Sequence, residues 1–311
     1  MGEPLRKLET SDGRTLAYAT WGDPDGFPIL SLHGTPGCRF NRWPNEEVYT
    51  RAGAYWITHD RAGYGRSDRH RGRCVADEVA DVEAIADELG LERFGVTGGS
   101  GGGPHALACA ALLPDRVVRA VCTVGVAPLG ASGLTEEEWL DGMDPENVKE
   151  FRWAQTGEDV LMTELEQLQK QLEERVAVDP STVLDDFELS ESDRAQLARP
   201  ESMQIIREAT SEQAVNGVGG WADDDLVVIK PWGFEVAAIS VPVLIRYGLT
   251  DVLVPPAHGE WLAANVPGCI VEVESAAGHM GANPEEQIAS DIRWLSEGIA
   301  AEGAQSPSQA P

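Results

Sequence analysis

Short apolar runs, each closed by a cluster of Gly, Asp, Pro or His, set the rhythm of the first third of the chain. Residues 14–21 alternate loosely between polar and apolar positions before the loop residues 22–26. Residues 28–32 form a second run that ends in His33-Gly34-Thr35-Pro36-Gly37. Residues 55–58 form a third, ending in His59-Asp60-Arg61-Ala62-Gly63-Tyr64-Gly65-Arg66-Ser67. Runs of this length bounded by turn residues predict strands. Val79, Val82, Ala86 and Leu89 then recur at helical spacing, with Asp77 as a candidate N-cap and Gly90 as the stop. An apolar run at 93–97 predicts a strand, residues 104–113 a helix, and residues 117–124 another strand.

From about 128 to 230 the alternation disappears and acidic amphipathic helices replace it. Leu161, Leu165, Leu168, Leu172 and Val176 share one helical face, with Glu164, Glu166, Glu173 and Glu174 off that stripe. This is the pattern of an ordinary packing face. The earlier rhythm resumes with a strand at 241–248, a helix at 256–266, a strand at 269–273 and a helix at 284–299. Strands alternating with helices predict an α/β fold, a mainly parallel sheet covered on both faces. A helical block between two strands of such a sheet is expected to sit over their carboxyl ends. The expected organisation is a core of 1–127 and 231–300, a helical cap at 128–230, and a disordered tail at 301–311, rich in Ala, Ser, Pro and Gln.

Charge and cysteine usage narrow the partners. The formal net charge is −28, which repels nucleic acid and anionic membranes alike. The surplus reads as a solvated acidic surface. No apolar stretch is long enough to span a bilayer, and no apolar signal region follows Arg6 and Lys7. Gly2 is not followed by the Ser or Thr that myristoylation requires, because Arg6 stands there. Cys38, Cys74, Cys109, Cys122 and Cys269 are odd in number and have no C-x-x-C spacing. Reduced thiols in a cytoplasmic protein are expected.

The chemistry concentrates at Gly98-Gly99-Ser100-Gly101-Gly102. In a Gly-rich chain the pattern G-x-S-x-G arises easily by chance, but here a strand leads in and a helix leads out. That is the setting of a nucleophile elbow, where a tight turn exposes the serine hydroxyl near a helix N-terminus. A serine hydroxyl attacks a carbonyl only when a base takes its proton, and the base needs a carboxylate to orient it. Of the six His, His33 and His59 sit in strand-end loops and His70 in an Arg-rich loop. His105 lies on the outgoing helix, a buried position, and His258 starts an exposed-looking helix. His279 follows the last strand in the Gly-flanked Ala277-Gly278-His279-Met280-Gly281, which makes it the candidate base. Asp251 follows a strand end one strand–helix–strand unit earlier and is the candidate carboxylate. Asp223, Asp224 and Asp225 are its rivals, but a triple acid run at the end of a cap reads as a solvated turn or an N-cap. Two N–H donors for an oxyanion are expected at Gly101 and Thr35. The nucleophile is supplied by protein groups, so no metal or organic cofactor is implied. The partner expected is a small-molecule substrate.

These residues resemble the α/β-hydrolase fold superfamily. The order Ser100, Asp251, His279 is that superfamily's order. The His-Gly-x-Pro-Gly loop, the turn from Asp60 to Ser67, the elbow and the late Gly-His pair also fall in its sequence, across about residues 8 to 300. The resemblance implies an eight-stranded, mostly parallel sheet with the cap inserted after the sixth strand. It also implies a capped serine hydrolase acting on a carboxylic ester of a small or medium acyl group. Ser100 at the elbow, where an Asp would be the nucleophile, argues against haloalkane dehalogenases and epoxide hydrolases. The chain is similar as well to the proline iminopeptidase branch, which typically has Trp directly after the nucleophile and uses cap carboxylates to hold the substrate's amine. Gly101 departs from that pattern, and Glu136, Glu137 and Glu138 are equally explained by an acidic surface. An aminopeptidase, or a non-catalytic small-molecule receptor on the same fold, are the alternatives. Trp139, Trp153, Trp221, Trp232 and Met143 could line an acyl pocket or simply pack.

Overall fold

Eight strands in the order β1-β2-β4-β3-β5-β6-β7-β8 form one sheet in the computed structural model, which describes residues 5–298. The strands are β1 (Arg6–Glu9), β2 (Thr15–Gly22), β3 (Phe27–Leu32), β4 (Ala54–His59), β5 (Phe94–Gly99), β6 (Val117–Thr123), β7 (Val243–Gly248) and β8 (Ile270–Glu274). Pairing is antiparallel for β1 with β2 and for β2 with β4, and parallel from β4 through β8. The expected tail at 301–311 lies outside the described residues.

The central strands read as mainly apolar runs because both faces are covered, interrupted by Arg119 in β6 and Arg246 in β7. In β7, Val243, Ile245 and Tyr247 point to one core and Leu244 to the other. In β6, Ala120 and Cys122 face one side and Val121 the opposite side. Helices α1 (Glu47–Arg51) and α11 (Pro284–Ser296) cover one face. On the other lie α2 (Glu78–Glu88), α3 (Gly103–Leu112) and α10 (Pro256–Asn265). Asp77 caps differently from the expectation. Its carboxylate accepts from Cys74 N at 2.7 Å, in a 3-10 turn just ahead of α2.

Strand β1 has no apolar alternation to announce it. Its side chains are mostly exposed, and backbone pairing of Arg6 to Glu9 with Tyr18 to Thr15 holds it in place.

Between β6 and β7 the chain leaves the sheet for α4 (Glu136–Leu140), α5 (Pro145–Thr156), α6 (Glu158–Val178), α7 (Glu191–Leu197), α8 (Pro200–Glu212) and α9 (Gly219–Val228). Leu161 and Leu165 of α6 are fully buried. They pack with Ala154 of α5 and Trp221 and Ala222 of α9 into a cluster of their own. This helical insert touches three loops that follow strand ends. Asp224 bonds Thr35 after β3, Asp144 N donates to Val252 O after β7, and Asp193 holds the loop after β8. It therefore lies against the carboxyl edge of the sheet.

Candidate active site

Strand β5 ends at Gly99, and Ser100 takes φ of 53°, one of two non-glycine residues with positive φ among the described residues. Such a conformation is costly for a side-chain-bearing residue and persists only where the surroundings fix it. Here the turn leads directly into α3. The loop after β3 lies against the elbow, since a β-carbon at Gly34 would be 3.3 Å from Ser100 Cβ. Gly101 is required for the same reason. A β-carbon there would stand 2.2 Å from Thr35 Oγ1 and 3.2 Å from Thr35 N. The Thr35 side chain thus fills the space that a Trp after the nucleophile would need, which accounts for the departure at Gly101.

Asp251 and His279 meet. His279 Nδ1 lies 2.8 Å from Asp251 Oδ2, and Asp251 Oδ1 accepts from Leu253 N and Val254 N at 2.9 Å each. With a carboxyl oxygen accepting, Nδ1 is the donor of this pair and Nε2 is left free to accept a proton. Burial pushes the His279 pKa down, but the Asp251 carboxylate and the more distant Asp193 outweigh it and hold it above the usual histidine value. No hydrogen bond joins Ser100 Oγ to the His279 ring among the described residues. Such contacts are often long in unliganded sites and tighten with substrate.

The triple acid run is not a solvated turn. Asp223, Asp224 and Asp225 sit inside α9 and are all buried. Asp224 is the hub of an ionic cluster beneath the Thr35 loop. Its Oδ2 accepts from Thr35 Oγ1 at 2.6 Å, Tyr64 OH at 2.9 Å and Arg61, while Oδ1 accepts from Arg73. Arg61 also donates to the carbonyls of His33 and Gly34, and its backbone N–H donates to His33 Nε2 at 3.2 Å. Burial favours the neutral acid, yet Arg61 and Arg73 hold the Asp224 carboxyl well below the ordinary carboxylate range. Asp223 pairs with Arg69 at 2.7 Å and 2.9 Å. The missed signal was the flanking sequence, Trp221-Ala222 before the run and Leu226-Val227-Val228 after it, which buries whatever lies between.

Four of the other five histidines, His33, His59, His105 and His258, have structural partners. His33 Nδ1 lies 2.7 Å from Gly34 O, and burial keeps its pKa well below normal. His59 and Glu78 form a buried pair. His105 is buried on α3, its Nε2 3.8 Å from Asp224. His258 corrects the expectation of an exposed helix start, being completely buried. It accepts from Ala127 N at 3.1 Å through Nδ1 and bonds Trp139 O at 2.8 Å through Nε2. Burial lowers its pKa to about 4, so it stays neutral.

Above Ser100 lies a cavity of ≈ 60 Å³. Gly101 and Thr35 form its floor with Ser100, and Val126, Met143, Phe151, Val228, Leu253 and Val254 supply apolar walls. Of the aromatic and Met candidates in the insert, only Met143 reaches this cavity. Trp139 is fully buried and donates to Ala127 O at 2.7 Å. Polar groups reach the cavity from Asn147, Glu150 and Asp225. Burial, aided by the neighbouring carboxyl groups of Glu150 and Asp224, raises the Asp225 pKa far above normal, and burial raises Glu150 as well. Asp225 Oδ2 is buried without a hydrogen-bond partner among the described residues.

Residues 28–282 match the model of the alpha/beta hydrolase fold family, and the chain belongs to that family. It is 26% identical over 300 residues to a proline iminopeptidase of Neisseria gonorrhoeae, covering 89% of this chain and 90% of that protein. It is 36% identical to a non-heme chloroperoxidase of Streptomyces lividans over 150 residues, 47% of this chain and 53% of that protein. Among solved structures, an alpha/beta hydrolase fold protein from Chitinophaga pinensis superposes with a TM-score of 0.69 at 20% identity, covering 95% of this chain and 98% of that one. An enol-lactonase from Burkholderia xenovorans LB400 gives 0.66 at 19% identity over 93% and 99%. Both structural likenesses are likenesses of fold. Among the described residues no helix is long and apolar enough to cross a membrane.

Proposed function

We propose that the protein is a serine hydrolase that cleaves carboxylic esters of small acyl groups through an acyl-enzyme. The observation that carries this reading is Ser100 itself, held at φ of 53° and opening into a mostly apolar cavity. In the proposed reaction Ser100 Oγ attacks the ester carbonyl carbon while His279 Nε2 takes its proton. The N–H groups of Gly101 and Thr35 receive the oxyanion. His279 then returns the proton to the leaving alkoxide, and the carbonyl–oxygen bond to the alcohol breaks. Water, deprotonated by the same ring, releases the acid and restores Ser100.

His279 must be neutral to act as base, so kcat/KM is expected to rise with pH through an apparent pKa above 6.5. Initial rates on p-nitrophenyl acetate and butyrate between pH 5 and 9 check this. A midpoint at or below that of free imidazole would contradict the pairing with Asp251. The linked stability has a defined sign. The raised pKa contributes stability that is fully present below the unfolded value and disappears as pH climbs through the folded one.

A second reading, an aminopeptidase, has one specific observation behind it. Asp225 and the partly buried Glu150 face the cavity as neighbours with elevated pKa values, and Asp225 Oδ2 has no donor among the described residues. An ammonium group on the acyl part of a substrate would favour the ionised form of both. Turnover of proline p-nitroanilide above the p-nitrophenyl esters would favour this reading. No turnover of either, with tight binding of a small ligand, would favour a receptor. Two acids forced together stabilise less as pH rises through the carboxylate range. Asp225→Asn is therefore expected to raise Tm at pH 7 and to erase any preference for amine-bearing substrates. A lower Tm would refute the strained pair.

A further inference from the structure

We infer that Asp193 of α7 is a positioning residue for His279, so that the helical insert itself sets the geometry of the candidate base. The inference rests on the hydrolase reading for its kinetic consequence, and on geometry alone for the rest.

Asp193 is completely buried, 86 residues away in sequence from the loop it holds. Its Oδ2 accepts from His279 N at 3.1 Å and its Oδ1 from Met280 N at 2.7 Å. One carboxylate thus clamps two successive backbone amides, an arrangement of charge-assisted bonds. Ser190 Oγ donates to Oδ2 at 2.9 Å and accepts from Asp193 N at 3.1 Å, fixing the carboxylate on its own helix. A second bond from α7 locks the same loop, Gln196 Nε2 to Ala282 O at 2.7 Å. The approach needs Gly278, because a β-carbon there would lie 1.9 Å from Asp193 Oδ2.

Asp251 touches His279 at the imidazole alone, through Nδ1. It constrains rotation of the ring but not the position of the Cα that carries it. The backbone of residue 279 is held instead from the insert. A shift of about 1 Å in a base can cost on the order of a hundredfold in rate, so the clamp controls how the ring meets Ser100. Two carboxylates face His279, Asp251 from the loop after β7 and Asp193 from α7, and both favour the imidazolium. Movement of the insert to admit substrate would loosen both contacts of α7 at once.

Asp193→Asn tests this, because the amide keeps one acceptor, loses the charge and turns a donor toward one N–H. The titration of the His279 C2–H signal by NMR, assigned with His279→Gln, needs no activity. The expected result is a lower His279 pKa in Asp193→Asn, together with at least a tenfold loss of kcat on p-nitrophenyl butyrate and KM within twofold. Gln196→Ala, which keeps the charge, should reduce kcat with little change in the titration. An unchanged titration and kcat in Asp193→Asn, with only a lower Tm, would overturn the inference and leave a plain helix cap. If Asp193→Asn fails to fold, Gln196→Ala with unaltered kcat overturns it. Wild-type protein that hydrolyses no ester and resists a fluorophosphonate would sink the hydrolase reading, while the titration would still decide the role of Asp193.

Discussion

Ser100→Ala is expected to reduce ester turnover by about 10⁴- to 10⁶-fold, the range seen when the nucleophile of a cooperating triad is removed. The loss is large because no neighbouring group can replace it. The cavity side chains next to Ser100 are mostly apolar, and the proposed base His279 would have nothing else to activate but water. What survives is substrate binding and the backbone donors at Gly101 and Thr35. Stability should change little, since Ala removes no hydrogen bond of the Ser100 side chain among the described residues and the positive φ stays either way. Rates on p-nitrophenyl butyrate, fluorophosphonate labelling and a thermal melt of the same preparation read all three consequences. Residual turnover within tenfold of wild type would mean that another residue is the nucleophile.

Asp224→Asn should produce the largest loss of stability. The substitution preserves shape but leaves Arg61 and Arg73 buried without their counter-charge, since Arg61 and Arg73 are both almost wholly enclosed. Breaking a buried ion pair from one side costs about 3–5 kcal/mol, which corresponds to a drop in Tm of roughly 5–8 °C for a domain of this size. The pH dependence has a defined direction. A carboxyl group held below its ordinary value contributes stability above that value and loses it as pH falls through the folded pKa. Wild-type protein should therefore shed this contribution in acid, and Asp224→Asn should have less to shed. Thr35 also loses its charged acceptor, so kcat should fall with Tm. A Tm within about 2 °C of wild type would show that the cluster is solvated in solution.

The sequence made different parts of this molecule legible for different reasons. Central strands such as β6 and β7 were readable because burial on both faces demands mainly apolar runs, each here broken by one arginine. Strand β1 was not, because an edge strand with polar side chains is specified by its neighbour's backbone and leaves no mark in side-chain pattern. Asp251 and His279 could be singled out because a parallel sheet delivers every strand-end loop to one edge, and the two do meet. Asp224 was misread from composition. Three adjacent acids look solvated until Arg61, Arg69 and Arg73, distant in sequence, are brought against them. His258 was misread for a similar reason, its partners being Ala127 N and Trp139 O.

Local pattern by itself determined the alternation of strands and helices and the strained turn at Ser100. These depend on periodicity and on turn chemistry, which act over a few residues. Tertiary structure alone decided that Asp224 and Asp193, on two helices of the insert, grip the Thr35 and His279 loops. It also decided that Asp225 and Glu150 share the cavity with Ser100. A buried charge is tolerated only where its counter-charges and donors arrive from elsewhere in the chain, and no linear spacing records that arrival.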